Sequence, residues 1–316
     1  MKAFKPLSKF KGIGEIYRYF NTEKKCKDYY EQARWGGNVT CPHCGSENPY
    51  RTNRGFKCSN KECHKKFSII SGSIFENTKI SLSIWFAVIY KMGIAKKGVN
   101  SHELSREIGI SQPTAWFLLQ RVRTFLSVEI MNVMLNGIIE ADETYFGGRV
   151  TNMKVNKRTK DSQGRSLTKK PVVGMIERNG KVKAFVTEDT TAKVINPLFK
   201  EHVVEGSTVV TDGYTGYVNI QEKYNHKSVK HGKYKFILKE GDNKFHTQNI
   251  EGFWSLLKRS YVGIHHYMSP KHLQKYVSEH VYRHNNRKLT KFGLFENSLA
   301  LAASTRITYN QLIGKS

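Results

Sequence analysis

Four cysteines within 23 positions constrain this chain more than any other feature of its sequence. They form two short-spaced pairs, Cys41-Pro42-His43-Cys44-Gly45 and Cys58-Ser59-Asn60-Lys61-Glu62-Cys63, separated by thirteen residues. Each pair closes a tight turn with its thiolates pointing inward, and Gly45 permits the positive φ that such a turn commonly needs after its second ligand. Two disulfides, or four unrelated thiols, are the competing reading, but disulfides belong to oxidising compartments. The N-terminal Met1-Lys2-Ala3-Phe4-Lys5-Pro6 has no apolar run like that of a signal peptide. A structural Zn²⁺ held by Cys41, Cys44, Cys58 and Cys63 is therefore expected, closed to catalysis because all four positions are filled. His43, inside its knuckle, and His64, directly after Cys63, read as bystanders, and Cys26 receives no role.

Lys plus Arg number 52 against Asp plus Glu 26 over 316 residues, a formal charge of +26, so an anionic partner is expected. The longest uninterrupted apolar run, 84–90, is far short of the ~20 residues a membrane span needs. At 39% hydrophobic the chain has apolar material for a sizeable core, which excludes disorder as the whole answer. A soluble, cytoplasmic protein follows as the expectation.

Residues 81–127 read as helices. Leu82, Trp85, Phe86, Ile89 and Tyr90 share one helical face, and Ser101 is placed to cap a new start. A short helix over 101–108, a turn at Gly109-Ile110-Ser111 and a longer helix over 112–126 with Pro113 in its first turn make a helix-turn-helix pattern. Thr114, Gln120, Arg121 and Arg123 supply polar reach, while Ala115, Leu118, Leu119 and Val122 face inward. Plain helical packing fits the same spacing.

From residue 137 the periodicity changes. Ile138 to Tyr145 reads as a strand ending at Gly147-Gly148, and strands over 172–177 and 182–187 are joined by Asn179-Gly180, a strong hairpin signal. A helix over 192–203, a strand over 208–211 and helices over 249–262 and 270–284 complete a mixed α/β domain of RNase H type. The expected organisation is an N-terminal helix and zinc ribbon over 1–80, a DNA-binding helix-turn-helix over 81–130, and a catalytic domain over 131–316. Within the last, 149–170 is a basic insertion with eight Lys or Arg against Asp161. A solvated insertion accounts for it, but crowded like charges are relieved by a polyanion, so Lys157, Arg158, Lys169 and Lys170 are expected to contact nucleic acid.

Three acids occupy awkward places: Asp142 in an apolar strand, Asp212 at a strand's carboxyl end, and Glu251 on an amphipathic helix. Alternation puts Asp142 opposite to Glu143 and on the same face as Glu140. Glu251, Trp254, Ser255 and Lys258 share a helix face, pairing a carboxylate for metal with a cation for phosphate. Oxygen ligands suit Mg²⁺ or Mn²⁺, and two such ions can activate the attacking oxygen and stabilise the leaving oxygen of an in-line displacement at phosphorus.

With these residues in place the sequence resembles a known family: the bacterial insertion-sequence transposases with an N-terminal zinc ribbon and an RNase H-like DDE domain, of the Merlin-related, ISXO-two-like group. The resemblance rests on Arg34-Trp35 before the first cysteine pair, on Phe67-Ser68 and Gly72-Ser73-Ile74-Phe75 after the second, and on Ala141-Asp142-Glu143-Thr144-Tyr145-Phe146-Gly147-Gly148. It continues through Val173-Gly174-Met175-Ile176-Glu177-Arg178, Thr211-Asp212-Gly213-Tyr214 and Ile250-Glu251-Gly252-Phe253-Trp254-Ser255-Leu256-Leu257-Lys258-Arg259. It implies that Asp142 and Asp212 are catalytic metal ligands. The stretch His246-Thr247-Gln248-Asn249-Ile250-Glu251 carries glutamine where the family commonly has asparagine, which favours Glu251 as the third ligand and leaves Asn249 as a supporting or alternative one. His246 is expected to orient the site, and Lys258 and Arg259 to meet DNA.

The same resemblance implies a reaction: cleavage of the element's ends by metal-activated water, then attack of the freed 3′-hydroxyl on target DNA. The ribbon and helix-turn-helix would recognise terminal inverted repeats. A homodimer or larger synaptic assembly, associated with the bacterial nucleoid, would hold two ends together. The competing expectations are a DNA-binding regulator whose catalysis has lapsed and a metal-dependent nuclease on the same fold.

Overall fold

The computed structural model describes residues 12–128, 133–148, 169–229, 237–241 and 243–314. They fall into two compact units, Met1–Glu129 with Asn286–Ser316, and Ile130–Asn285. Lys157 and Arg158, with most of the basic insertion, lie outside the described residues.

The first unit begins with α1 (Ile13–Tyr19) and α2 (Glu23–Trp35), the latter capped by the Thr22 side chain and ended by Gly36 in the left-handed region. A three-stranded antiparallel ribbon follows, built from β1 (Tyr50–Thr52), β2 (Gly55–Lys57) and β3 (Lys66–Phe67). Its small core is Val39, Phe56 and Phe67 with Trp35 packed against them. Gly55 is required here: its φ is +142° and a Cβ would stand 2.5 Å from the Phe67 carbonyl oxygen.

Next come α3 (Leu82–Ile94), α4 (Ser101–Ile108) and α5 (Gln112–Leu126). In α3, residues from Leu82 to Met92 are buried on nearly every side. A helix apolar all round belongs inside a core, not at its edge. The cap of α4 is Asn100, not Ser101. The Asn100 backbone is extended and its side chain accepts the Glu103 N–H at 2.7 Å, which leaves Ser101 as the first helical residue. Gly109, at φ 72°, ends α4, and Ser111 caps α5, so short helix, glycine turn and longer helix stand as expected.

The second unit is a mixed sheet. It comprises β4 (Ile138–Phe146), β5 (Lys170–Glu177), β6 (Val182–Val186), then after α6 (Ala192–His202) β7 (Thr208–Thr211) and β8 (Asn225–Ser228). The strand order is β6-β5-β4-β7-β8; β4 to β6 are antiparallel neighbours, and β7 and β8 run parallel to β4. This is the expected RNase H-like α/β architecture, with one strand more than the sequence pattern suggests. That strand, Asn225-His226-Lys227-Ser228, has no apolar alternation because it is a polar edge held by backbone pairing to β7.

A short hairpin of β9 (Leu238–Glu240) and β10 (Asn243–Phe245) leads into α7 (Gln248–Ser260), and α8 (Leu273–Asn285) closes the unit. The helix expected over 270–284 begins later, since Pro270–His272 form a 3₁₀ turn. Helix α6 covers one sheet face through Ile195 and Phe199 on Ile139, Ala141, Val173 and Met175. Helices α7 and α8 cover the other through Ile250, Trp254, Val277 and Val281 on Phe146, Val172 and Ile176. With both faces covered, β5 is buried along almost its whole length.

Two more helices, α9 (Lys291–Ser304) and α10 (Tyr309–Ile313), return to the first unit. This corrects the expectation that 131–316 forms one domain. The reason is an aromatic cluster: Phe292 and Phe295 of α9 meet Tyr90 and Phe86 of α3, and Phe295 also meets Phe20. Phe20, Tyr29 and Phe75 cover part of the buried α3, and α9 covers more of it.

Candidate functional site

Asp142 lies mid-strand on β4, partly buried, on the face that α7 covers. Asp212 follows β7 directly, where its Oδ1 accepts the Tyr214 N–H at 2.9 Å in a tight turn. Glu251 is in the first turn of α7, exposed, with its Oε1 accepting the Thr247 hydroxyl at 2.7 Å. Burial pushes the Asp142 carboxyl up to about 7, and the charges of Glu143, Asp212 and Glu251 add to the rise. Negative charges from β4, from the turn after β7 and from α7 thus all bear on Asp142, an effect that a bound cation relieves.

An open cleft of about 540 Å³ is lined by Asp142, Glu143, Glu251, Ser255, Lys258 and Arg259, with Trp254 and Val262 as its apolar wall. Lys258 and Arg259 are exposed, and the Arg259 guanidinium donates to the Ser255 hydroxyl at 3.0 Å. The acid and cation expected on one face of α7 therefore share this cleft. Asp212 is not among the residues lining the cleft; the carboxylates of Asp142 and Glu251, with no sulfur or imidazole beside them there, are donors of the kind a hard divalent cation such as Mg²⁺ or Mn²⁺ takes.

Glu140 is the residue whose role sequence reasoning missed. It is 0% exposed, yet it bears a carboxylate. Its Oε2 accepts the backbone N–H groups of Asn249 at 2.8 Å and Ile250 at 3.3 Å, and its Oε1 accepts the Asn249 side-chain amide at 2.7 Å. Arg178 Nη2 stands 3.3 Å and His246 Nδ1 3.4 Å from the same Oε1. Asn249, an alternative third ligand by resemblance, thus has its amide directed at Glu140. His246 likewise meets Glu140 instead of Glu251. The one signal in the sequence was an acid sharing the Asp142 face one pair earlier in an apolar strand. Glu143 faces the other way, as alternation predicts, and accepts the Tyr217 hydroxyl at 3.0 Å.

In the ribbon, the Sγ atoms of Cys41, Cys44, Cys58 and Cys63 all lie within 4.8 Å of one another. The Cys41–Cys63 and Cys44–Cys58 separations are 3.9 and 3.5 Å. Tetrahedral zinc with Zn–S bonds of ~2.3 Å places its sulfurs ~3.8 Å apart, so the four thiols fit that ion. Among the described residues no other group of His, Cys, Asp or Glu is gathered so closely, and neither His43 nor His64 joins the four. Cys26 is buried elsewhere, its thiol pushed up to about 12 by burial and by Glu23.

Gln120 and Arg121, expected to reach DNA, are buried at 0% and 6% exposure. The cause is the enclosure of α5 by α4, α9 and α10. Arg121 donates to the Ile307 carbonyl at 2.9 Å and lies over the Phe117 ring. Arg123 is buried as well, donating to the Val99 carbonyl. Thr114 remains partly exposed at the start of α5, with its hydroxyl 2.8 Å from that of Ser111. Of the insertion's cations, Lys169 is partly exposed and Lys170 pairs with Glu188.

Comparison with known proteins gives matches over both parts of the chain. Residues 134–285 match the ISXO2-like transposase domain, and residues 21–66 match the transposase zinc-ribbon domain. A relative from Halobacterium salinarum, described as an uncharacterized protein in transposable element ISH50, is 27% identical over 274 residues, which cover 82% of this chain and 89% of that protein. The ribbon match spans all four cysteines, and the domain match spans all three acids together with Glu140. The chain belongs to the insertion-sequence transposases that carry an N-terminal zinc ribbon and an RNase H-like DDE domain.

Proposed function

We propose that this transposase cleaves the ends of its own insertion sequence and joins the freed 3′-hydroxyl strands to target DNA, using Asp142, Asp212 and Glu251 as its catalytic acids. The observation that carries this reading is the cleft that Asp142 and Glu251 share with Lys258 and Arg259, with the charges of Asp212 and Glu251 both bearing on Asp142. Two Mg²⁺ or Mn²⁺ ions, when bound, supply activation of the attacking oxygen and stabilisation of the leaving oxygen in both phosphoryl transfers.

The chain's own residues then hold and orient. The Thr247 hydroxyl restricts the rotamer of Glu251, and the Tyr214 N–H fixes one oxygen of Asp212. Lys258 and Arg259 draw a phosphate backbone to the acids, and no side chain serves as nucleophile. The ribbon zinc is structural. Thr114, Lys169 and the insertion's Lys157 and Arg158 contribute further DNA contacts, and a homodimer or larger assembly pairs two ends. With DNA as substrate, its place is the cytoplasm, on the bacterial nucleoid. Among the described residues no helix is long and apolar enough to cross a membrane.

The test is an in vitro reaction in Mg²⁺ or Mn²⁺ with labelled DNA spanning the gene's own flanks and an unrelated plasmid, run with wild type beside Asp142→Asn. Cleavage at a flanking repeat and its joining to plasmid by wild type alone supports the proposal. Binding without cleavage by both proteins points to a regulator, and cleavage without joining points to a nuclease.

A further inference from the structure

We infer that Glu140 is a positioning residue that sets where Glu251 stands relative to Asp142; this rests on the proposed catalytic acids. Glu140 and Asp142 are two residues apart on one face of β4, so the strand's own geometry holds them ~6.7 Å apart along its axis. Glu140 in turn grips the N–H groups of Asn249 and Ile250, and Glu251 is the next residue. The path from one catalytic acid to another therefore runs through two peptide units of β4, one buried carboxylate and one peptide unit of α7.

The usual device for this end of a helix is absent. Thr247 occupies the N-cap position of α7 but makes no side-chain capping bond, because its hydroxyl is turned to Glu251. A carboxylate from a strand takes over the cap, meeting the positive end of the helix dipole. Arg178 locks the arrangement from outside: its Nη1 donates to the Lys244 carbonyl at 2.7 Å, just before α7, while its Nη2 reaches Glu140. The groups hydrogen-bonded to Glu140, the Asn249 and Ile250 N–H groups, the Asn249 amide and Arg178, are all donors, whereas His246 Nδ1 accepts the Gln248 N–H at 3.3 Å. A glutamine there must turn its own N–H₂ toward donors on one side, either the helix amides or Asn249 and Arg178. A local carboxylate at Asn249 would reverse that polarity, giving the glutamine N–H₂ an acceptor and Arg178 a counter-charge.

The test compares wild type, Glu140→Gln, Glu140→Gln with Asn249→Asp, and Asp142→Asn. Mn²⁺ binding is followed by electron paramagnetic resonance without DNA, folding by circular dichroism, and DNA affinity and strand cleavage separately. For Glu140→Gln we expect Mn²⁺ affinity to fall by about tenfold or more and cleavage to fall with it, while DNA affinity holds. The double variant should recover most of the lost Mn²⁺ affinity. If Glu140→Gln binds Mn²⁺ as tightly as wild type, the inference is overturned. Should the single variant not fold, the double variant decides: folding with Mn²⁺ binding restored supports the role, and folding without it, or failure to fold, overturns it. Failure of the catalytic-acid reading looks different, since wild type would then show no Mn²⁺ site that Asp142→Asn removes.

Discussion

Asp142 stands directly opposite Gly174 in the antiparallel register of β4 and β5, and the space above Gly174 is filled by the indole of Trp254. A Cβ on Gly174 would lie 2.4 Å from Trp254 Cζ2 and 3.0 Å from Ile250 Cδ1. The missing side chain lets α7 approach the strand closely enough for Glu251 and Asp142 to share a cleft.

Gly174→Ala should therefore push α7 off the sheet. Overpacking of this kind costs roughly 1–3 kcal/mol, which a denaturant titration resolves. Strand cleavage should fall further than stability alone explains, because the shift falls on the helix bearing Glu251. An alanine variant with unchanged midpoint and cleavage would show that the approach of α7 is not needed.

The raised Asp142 carboxyl predicts a pH signature in the metal-free protein. Its folded value of about 7 lies above the ordinary 3.8, so between those limits the folded state holds the extra proton and stability declines as pH rises. The decline from this group is complete above about pH 7 and amounts to something on the order of 4 kcal/mol. Asp142→Asn cannot ionise. Its stability minus that of wild type, measured in chelator from pH 4 to 8, should grow with pH, and a flat difference would show that burial and the neighbouring charges do not raise Asp142.

Metal removal should separate the two centres. Cys41→Ser with Cys44→Ser is expected to lose one zinc per chain by elemental analysis and to impair binding of the element's ends. Zinc content equal to wild type would mean that the ion is held elsewhere.

Neutralising the cleft rim tests its role in holding DNA. Replacing Lys258 and Arg259 by glutamine should weaken binding to all sequences alike and lower the salt slope by about 0.9 for every phosphate that these cations neutralise in the wild type. An unaltered slope would place the DNA backbone away from α7.

Much of this molecule follows from short-range pattern. Cysteine spacing specifies a ribbon because two knuckles must converge on one tetrahedral ion, and the four Sγ atoms do gather. Strand alternation puts Glu140 and Asp142 on one face and Glu143 on the other, since the pleat has a period of two whatever surrounds it. The Asn179-Gly180 turn supplies the positive φ its hairpin needs, with Asn179 at 62°.

Partners between distant elements are a different matter. Gln120 and Arg121 look like reading residues on an isolated α5, and only the helices packed around it turn them inward. Asn249 looks like a metal ligand beside Glu251 until the strand 109 residues earlier claims its amide. The return of α9 to α3 is likewise invisible locally, because an apolar helix face does not name the surface it will cover. Residue spacing determined which side chains share a face of this protein. Tertiary structure decided which of those faces met, and so which buried charge was satisfied by which donor, because desolvation and hydrogen bonding depend on neighbours that the sequence places far apart.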